Sequence, residues 1–121
     1  ILGKSGSGKS SLALQLIGRG ARLVSDDRTL LKRADAGLLV APHPTLEGMV
    51  EARHVGLLRL PFTPKPLVQL AVDLDTKETL RLPMTPRFEL LGHGVPLLHR
   101  ADDPHFAVAI RHCLSGHRAT P

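Results

Sequence analysis

The residues with the clearest chemistry stand at the start of the chain. Gly3-Lys4-Ser5-Gly6-Ser7-Gly8-Lys9-Ser10 satisfies every fixed position of G-x-x-x-x-G-K-[ST]. Glycines at those places let backbone N–H groups turn inward around an anion without Cβ clashes. A helix that begins at the loop's end adds its partial positive charge. Lys9 is spaced to reach β- and γ-phosphates, and the Ser10 hydroxyl to bind Mg²⁺. The implied ligand is ATP or GTP with Mg²⁺. The candidate nucleotide-binding residues are Gly3, Lys4, Ser5, Gly6, Ser7, Gly8, Lys9, Ser10 and Ser11. Ser5, Ser7 and Ser11 are not fixed by the pattern, and Ser11 reads first as a residue of the helix face.

A second group follows at Asp26-Asp27-Arg28. Phosphoryl transfer needs one group to hold the metal and another to accept the nucleophile's proton. Two adjacent carboxylates can divide those tasks. An acidic turn is ordinarily solvated surface, so the assignment depends on the elements that carry it. Those elements are a helix over Lys9 to Arg19, with Leu12, Ala13, Leu16 and Ile17 at helical spacing, and a short strand over Ala21 to Ser25. A strand–helix–parallel strand crossover returns the second strand's end to the side of the loop. A ten-residue helix of about 15 Å matches the reach of a five-residue strand.

Beyond the aspartates the punctuation changes. Thr29 to Lys32 and Leu38 to Ala41 read as strands joined by a turn at Asp35-Ala36-Gly37. Thr45 to Glu51 reads as one or two helical turns with Thr45 as N-cap, and Val55 to Leu60 as a strand stopped by Pro61. A loop with Pro64 and Pro66 precedes Leu67 to Leu74, whose alternation predicts a strand. Val72 to Asp75 is the nearest candidate for a further acid-bearing strand, and its alternation suggests a half-exposed antiparallel one. Arg81 to Leu98 holds short strands broken by Pro83, Pro86, Gly92, Gly94 and Pro96. A final helix begins at Asp103-Pro104, buries Phe106, Ala109, Ile110, Cys113 and Leu114, and ends at Gly116.

The 121 residues suit one domain, and a 42% apolar content supports a core. With three Phe and no Trp or Tyr, that core is built from Leu, Val and Ala, and the chain lacks rings on which single-stranded bases stack. The net charge of +5 reads first as a basic surface, and attraction to phosphates or an acidic partner is the functional alternative. No basic cluster on one helix argues for nucleic acid. The single Cys113 allows no internal disulfide, which fits a reducing cytoplasm. No apolar run approaches the ~18 residues of a membrane span. The seven His show no zinc spacing. The chain opens at Ile1, two residues before the glycine-rich loop, which reads as a fragment with its first strand truncated. The expected organisation is a domain over 1–116 and a tail over 117–121.

At this point the order of motifs resembles a family. The HPr kinase/phosphorylase catalytic domain carries G-x-S-G-x-G-K-S, a helix ending near R-G, a strand leading to L-V-x-D-D-R, and a segment like E-x-R-G-x-G. This chain reads Gly3 to Ser10, Arg19-Gly20, Leu23-Val24-Ser25-Asp26-Asp27-Arg28, and Glu51-Ala52-Arg53-His54-Val55-Gly56. The first three blocks match in order and spacing over about 28 residues. In the fourth, His54 stands where the family has Gly. The resemblance covers residues 1 to about 60 well, and 61 to 114 by general character.

The resemblance implies an α/β fold: a phosphate-loop mixed-sheet core related to phosphoenolpyruvate carboxykinase, in one domain with a C-terminal helix. It implies that Asp26 and Asp27 supply the catalytic base and the metal contact, in either order, and that Glu51 lies near the metal. The expected catalytic residues are thus Asp26, Asp27 and Lys9, and the metal ligands Ser10, Asp27 and Glu51. The implied substrate is a serine of the phosphocarrier protein HPr, in a cytoplasmic enzyme that regulates carbohydrate metabolism and often assembles as a hexamer. The short form lacks the family's N-terminal domain and C-terminal basic segment, which favours kinase over phosphorylase activity. The alternatives are a small-metabolite kinase of the phosphate-loop type and a non-catalytic nucleotide sensor.

Overall fold

The computed structural model describes residues 1–26, 29–63 and 66–119. Asp27 and Arg28, Pro64 of the proline loop, and the last two residues of the expected tail lie outside that set. Among the described residues the elements are α1 (Lys9–Ile17), β1 (Thr29–Ala34), β2 (Gly37–Pro42), β3 (Met49–Ala52), β4 (Gly56–Arg59), β5 (Ala71–Lys77), β6 (Arg87–Leu90), β7 (His93–Arg100) and α2 (Phe106–Leu114).

The centre of the fold is β5. Ala71, Val72 and Leu74 are buried, and the strand runs parallel to β7, pairing Ala71 with Leu97 and Val72 with Leu98. On its other side it takes the chain start in parallel: Leu2 N–H donates to Val72 O at 2.7 Å and Leu74 N–H to Leu2 O at 2.9 Å. The glycine-rich loop thus leaves a strand edge held by the central strand. The expectation that Val72 to Asp75 is antiparallel is overturned, while its half-exposure holds, with Val72 and Leu74 buried, Asp73 half-buried and Asp75 exposed. Alternation reports which face of a strand is buried, and the direction of its neighbours is set by distant segments. The strand expected over Leu67 to Leu74 also begins later, with Leu67 making only a bridge to Leu39 beside β2.

One core cluster joins this sheet to the helices. Leu12 and Leu16 of α1 meet Val72 and Leu74 of β5 and Ala107 and Ile110 of α2. The i, i+4 spacing of Leu12 and Leu16 gives α1 its single buried stripe. Of the expected apolar face of α2, Ile110 is buried and Phe106 packs on the core, while Ala109 and Leu114 are exposed and Ala107 is buried beside Ile110. The helix starts at Phe106, three residues after the expected capping acid, whose carbonyl instead closes a turn with Phe106 N–H.

Pro96 does not break its strand. β7 pairs antiparallel with β6 through residues 93–96 and parallel with β5 from Leu97 on, so Pro96 sits where the strand changes partner. Two hairpins complete the fold. β1 and β2 pair around the predicted Asp35–Gly37 turn, and β3 and β4 pair from Met49–Arg59 to Ala52–Gly56. The helix expected over Thr45 to Glu51 is a 3₁₀ turn at Pro44–Leu46, capped by His43 Nδ1 accepting from Thr45 N–H, and Glu51 lies in strand β3. The strand expected over Ala21 to Ser25 shrinks to one parallel bridge, Leu23 with Phe62.

Ile110 is 2% exposed at the junction of both helices and β5. Ile110→Ala should lower unfolding free energy by about 2–5 kcal/mol, read as a lower urea midpoint with an unchanged slope.

Candidate functional site

The loop's shape follows from its glycines. Gly6 and Gly8 take φ values of +82° and +100°, which residues with a Cβ rarely adopt. A Cβ on Gly3 would stand 2.4 Å from Ser7 Oγ and in ordinary contact, 3.4 Å, with Leu74 Cβ, so a larger residue there would have to displace the Ser7 side chain. Gly8 is the N-cap of α1 and offers no side-chain cap. The first-turn amides of that helix are therefore left for an external acceptor.

Two ionic groups fasten the loop's entry from opposite directions. Lys9 Nζ donates to Gly3 O at 2.6 Å and Lys4 O at 3.1 Å. Lys4 N–H donates to both carboxylate oxygens of Asp75 at 3.1 Å. Asp75 is in turn set by Asp73, whose Oδ1 accepts from Asp75 N–H at 2.9 Å. Sequence reasoning assigned Asp75 no role. Val72 to Asp75 stood only as the nearest candidate for an acid-bearing strand, because Asp73 interrupts the apolar run before Asp75.

The aspartate turn reaches the same loop. Ser10 Oγ donates to Asp26 Oδ1 at 2.7 Å, and Asp26 Oδ2 accepts from Glu51 N–H at 3.0 Å. One carboxylate thus ties the first turn of α1 to strand β3. Ser10 keeps its oxygen lone pairs free for a cation while its proton is spent on Asp26.

These groups open onto a cleft of about 910 Å³. One wall is Ser5, Gly6, Gly8, Lys9, Ser10 and Ser11 with Asp26; the other is the β3–β4 hairpin, with Glu51, Arg53, Val55 and Leu57, joined by Leu46 and Met49. Of the predicted residues, Gly3, Lys4 and Ser7 do not line it. Gly3 and Lys4 form the anchored entry, and Ser7 faces a separate slot. Asp27 lies outside the described residues. The apolar part of the hairpin wall carried no sequence signal, since Val55 and Leu57 read simply as strand residues. Among the described residues no group of three His, Cys, Asp or Glu could hold a metal. No helix among them is long and apolar enough to cross a membrane.

His54 occupies the hairpin turn with φ +70°. The conformation is the one a glycine would take, so the departure from the family pattern changes the residue and not the turn.

A parallel-centred α/β sheet that delivers a glycine-rich loop to a helix N-terminus, with a carboxylate bonded to the helix's first hydroxyl, defines a class of anion-binding α/β domains. The family follows from comparison. The model of the HPr Serine kinase C-terminal domain matches residues 1–63, and the chain belongs to that family. The HPr kinase/phosphorylase of Geobacillus sp. (strain WCH70) is 46% identical over 61 residues, covering 50% of this chain and 20% of that protein. The HPr kinase/phosphorylase of Clostridium tetani is 43% identical over 77 residues, covering 64% and 24%. The chain thus spans about a fifth to a quarter of the length of these curated relatives. The solved Hpr(Ser) kinase/phosphatase from Coxiella burnetii superposes with a TM-score of 0.79 at 23% identity, over 96% of this chain and 84% of that one, and shares its fold.

Releasing the left-handed strain at residue 54 should stabilise the hairpin. His54→Gly is expected to raise unfolding free energy by roughly 0.5–1 kcal/mol, the cost of a non-glycine left-handed residue less the entropy that glycine loses on folding. Urea unfolding of both proteins measures it.

Proposed function

We propose that this chain is the nucleotide-binding catalytic part of a serine kinase that transfers the γ-phosphoryl group of ATP to a serine of an HPr-type phosphocarrier protein. The observation that carries the reading is the 2.7 Å bond from Ser10 Oγ to Asp26, which sets a metal-binding hydroxyl and a carboxylate side by side at the mouth of the loop. Family membership and the relatives' names support the kinase class.

The residues present fit both ligands. Gly6 and Gly8 in left-handed conformations leave main-chain amides uncovered, as a polyphosphate requires. Lys9, held by two carbonyls, supplies the cation for the β- and γ-phosphates. Mg²⁺ takes few protein ligands and keeps water and phosphate oxygens. Ser10 and an aspartate, with Glu51 on the facing strand, suit that demand better than a three-acid cage would. When bound, the ion would neutralise charge that develops on the transferring phosphoryl group.

Asp26 already accepts two hydrogen bonds, from Ser10 and from Glu51 N–H. We therefore assign the positioning and metal-side role to Asp26, in place of the expected Asp27, and the role of base to Asp27, next in the chain. The acceptor serine Oγ forms its bond to the γ-phosphorus as the bond to the β–γ bridging oxygen breaks. The serine proton passes to the Asp27 carboxylate, and ADP departs. The β3–β4 hairpin, opposite the loop, is where the acceptor protein would approach. We place the enzyme in the cytoplasm, acting in the kinase direction within phosphotransferase signalling and as a homo-oligomer.

Incubation with labelled ATP, Mg²⁺ and purified HPr tests this. Label should appear on an HPr serine, and Asp27→Asn should reduce the rate by about 10²–10⁴-fold, the usual contribution of a general base. Asp26→Asn should also weaken the Mg²⁺ dependence. Nucleotide binding without transfer would replace the kinase by a sensor; label on a small metabolite would replace the protein substrate.

A further inference from the structure

The end of α2 holds a pair of side chains that the proposed reaction does not use. His112 Nδ1 and His117 Nδ1 stand 3.0 Å apart, with ring centroids 5.2 Å apart. On an unbroken helix residues at this spacing point about 140° apart, so the two rings would not meet. The turn that ends the helix brings them together. Gly116 takes φ +79°, its N–H donates to Cys113 O at 3.0 Å, and His117 N–H donates to His112 O at 3.0 Å. That is a Schellman closure, which sets the residue after the glycine over the one whose carbonyl it bonds, ordinarily as an apolar contact. Here both members are His, and both are exposed.

We propose that His112 and His117 form a two-imidazole chelate for one divalent transition-metal ion of the Ni²⁺ or Cu²⁺ kind, with water in the remaining positions. Neutral imidazole is the commonest side-chain ligand for such ions. With metal–nitrogen bonds of about 2.0–2.1 Å, as histidine makes to zinc, the 3.0 Å separation gives an angle of about 95° at the ion. That is close to the right angle between neighbours in a tetragonal site, and narrower than a tetrahedral one asks. The two nitrogens now share a proton, one ring donating and the other accepting. A small turn of each exposed ring aims both lone pairs at one ion, and the donating ring then carries its proton on Nε2. The neighbouring cations are engaged elsewhere. Arg111 Nη1 donates to Ser115 Oγ at 2.5 Å and its guanidinium lies beside Gly20, while Arg118 Nη2 donates to Thr85 Oγ1. The C-terminal end of a helix carries partial negative charge, which favours a cation there. Among the described residues no third His, Cys, Asp or Glu completes the set, which leaves the other positions to water. Neither His lines the cleft, so the site stands independently of the nucleotide reading.

Titration of Ni²⁺ into the whole chain tests this, with Mg²⁺ in excess to occupy oxygen sites, followed by calorimetry and proton NMR. One equivalent should bind, and the paramagnetic ion should broaden the ring signals of His112 and His117 before those of any other His. His112→Ala and His117→Ala should each weaken binding by about 10²-fold, the loss of the second linked ligand. Gly116→Ala keeps both rings and meets no neighbouring atom, but it penalises the left-handed turn and should weaken binding about tenfold. His105→Ala, at the other end of α2, should bind like the wild type. Far-UV circular dichroism checks that each variant folds, and the broadening pattern of the wild-type protein needs no variant. Broadening spread evenly over the histidines, unchanged affinity in any of the first three variants, or no binding at all overturns the site.

Discussion

One carboxylate holds the candidate site together. Asp26 accepts the hydroxyl proton of Ser10 at the start of α1 and the amide proton of Glu51 in β3. These contacts join segments 16 and 25 residues away along the chain. Charge-assisted hydrogen bonds of this kind are stronger and more directional than neutral ones. They add to the packing of β3 against α1, with Val50 of β3 fully buried, in holding the β3–β4 hairpin beside the glycine-rich loop. The cleft is a gap between those two parts, and this one side chain bonds to both.

The loop itself is held from below. Leu2 is threaded along β5, Gly3 lies against Leu74, and Asp75 catches Lys4 N–H. Lys9 closes the other side by bridging the carbonyls of Gly3 and Lys4. An anion-binding loop must present its amides in place before the ligand arrives, because ordering it on binding would cost affinity. Here a buried parallel strand does that work. The apolar residues of β5 also seat α1 and α2, so the core and the loop share one foundation.

The fold spends its polar groups where they organise chemistry. Asp73 and Asp75 lie on β5 beside its buried Val72 and Leu74, Asp73 half-buried and Asp75 exposed. Both find partners: Asp73 accepts from Asp75 N–H, and Asp75 from the loop. On the opposite flank, Arg100, Lys77 and Asp102 form an exposed ion cluster that contributes little to stability and much to the local charge pattern. The two sides of the loop therefore differ in character, one ending in the Ser10 hydroxyl and Asp26 carboxylate, the other in a small hollow lined by Arg100, Asp102 and Asp103.

What the chain determined by itself is local. Gly3 to Ser10 specify a loop conformation through glycines whose positive φ values other residues rarely adopt, and the Leu12–Leu16 spacing specifies the helix that follows. The Asp35–Gly37 turn likewise fixes the first hairpin from its own residues. These features depend on backbone sterics and short-range periodicity, which are written in neighbouring residues. The partners of each strand were decided elsewhere. Whether β5 lay parallel between Leu2 and β7, whether β7 could run through Pro96, and whether Glu51 belonged to a helix or to β3 all depended on segments tens of residues away. Alternation told which face of β5 is buried, with Val72 and Leu74 inward, but not whether its neighbours run parallel to it. Asp75 became part of the loop, and Asp26 the link to the hairpin, only once the sheet had brought those backbones within hydrogen-bonding distance.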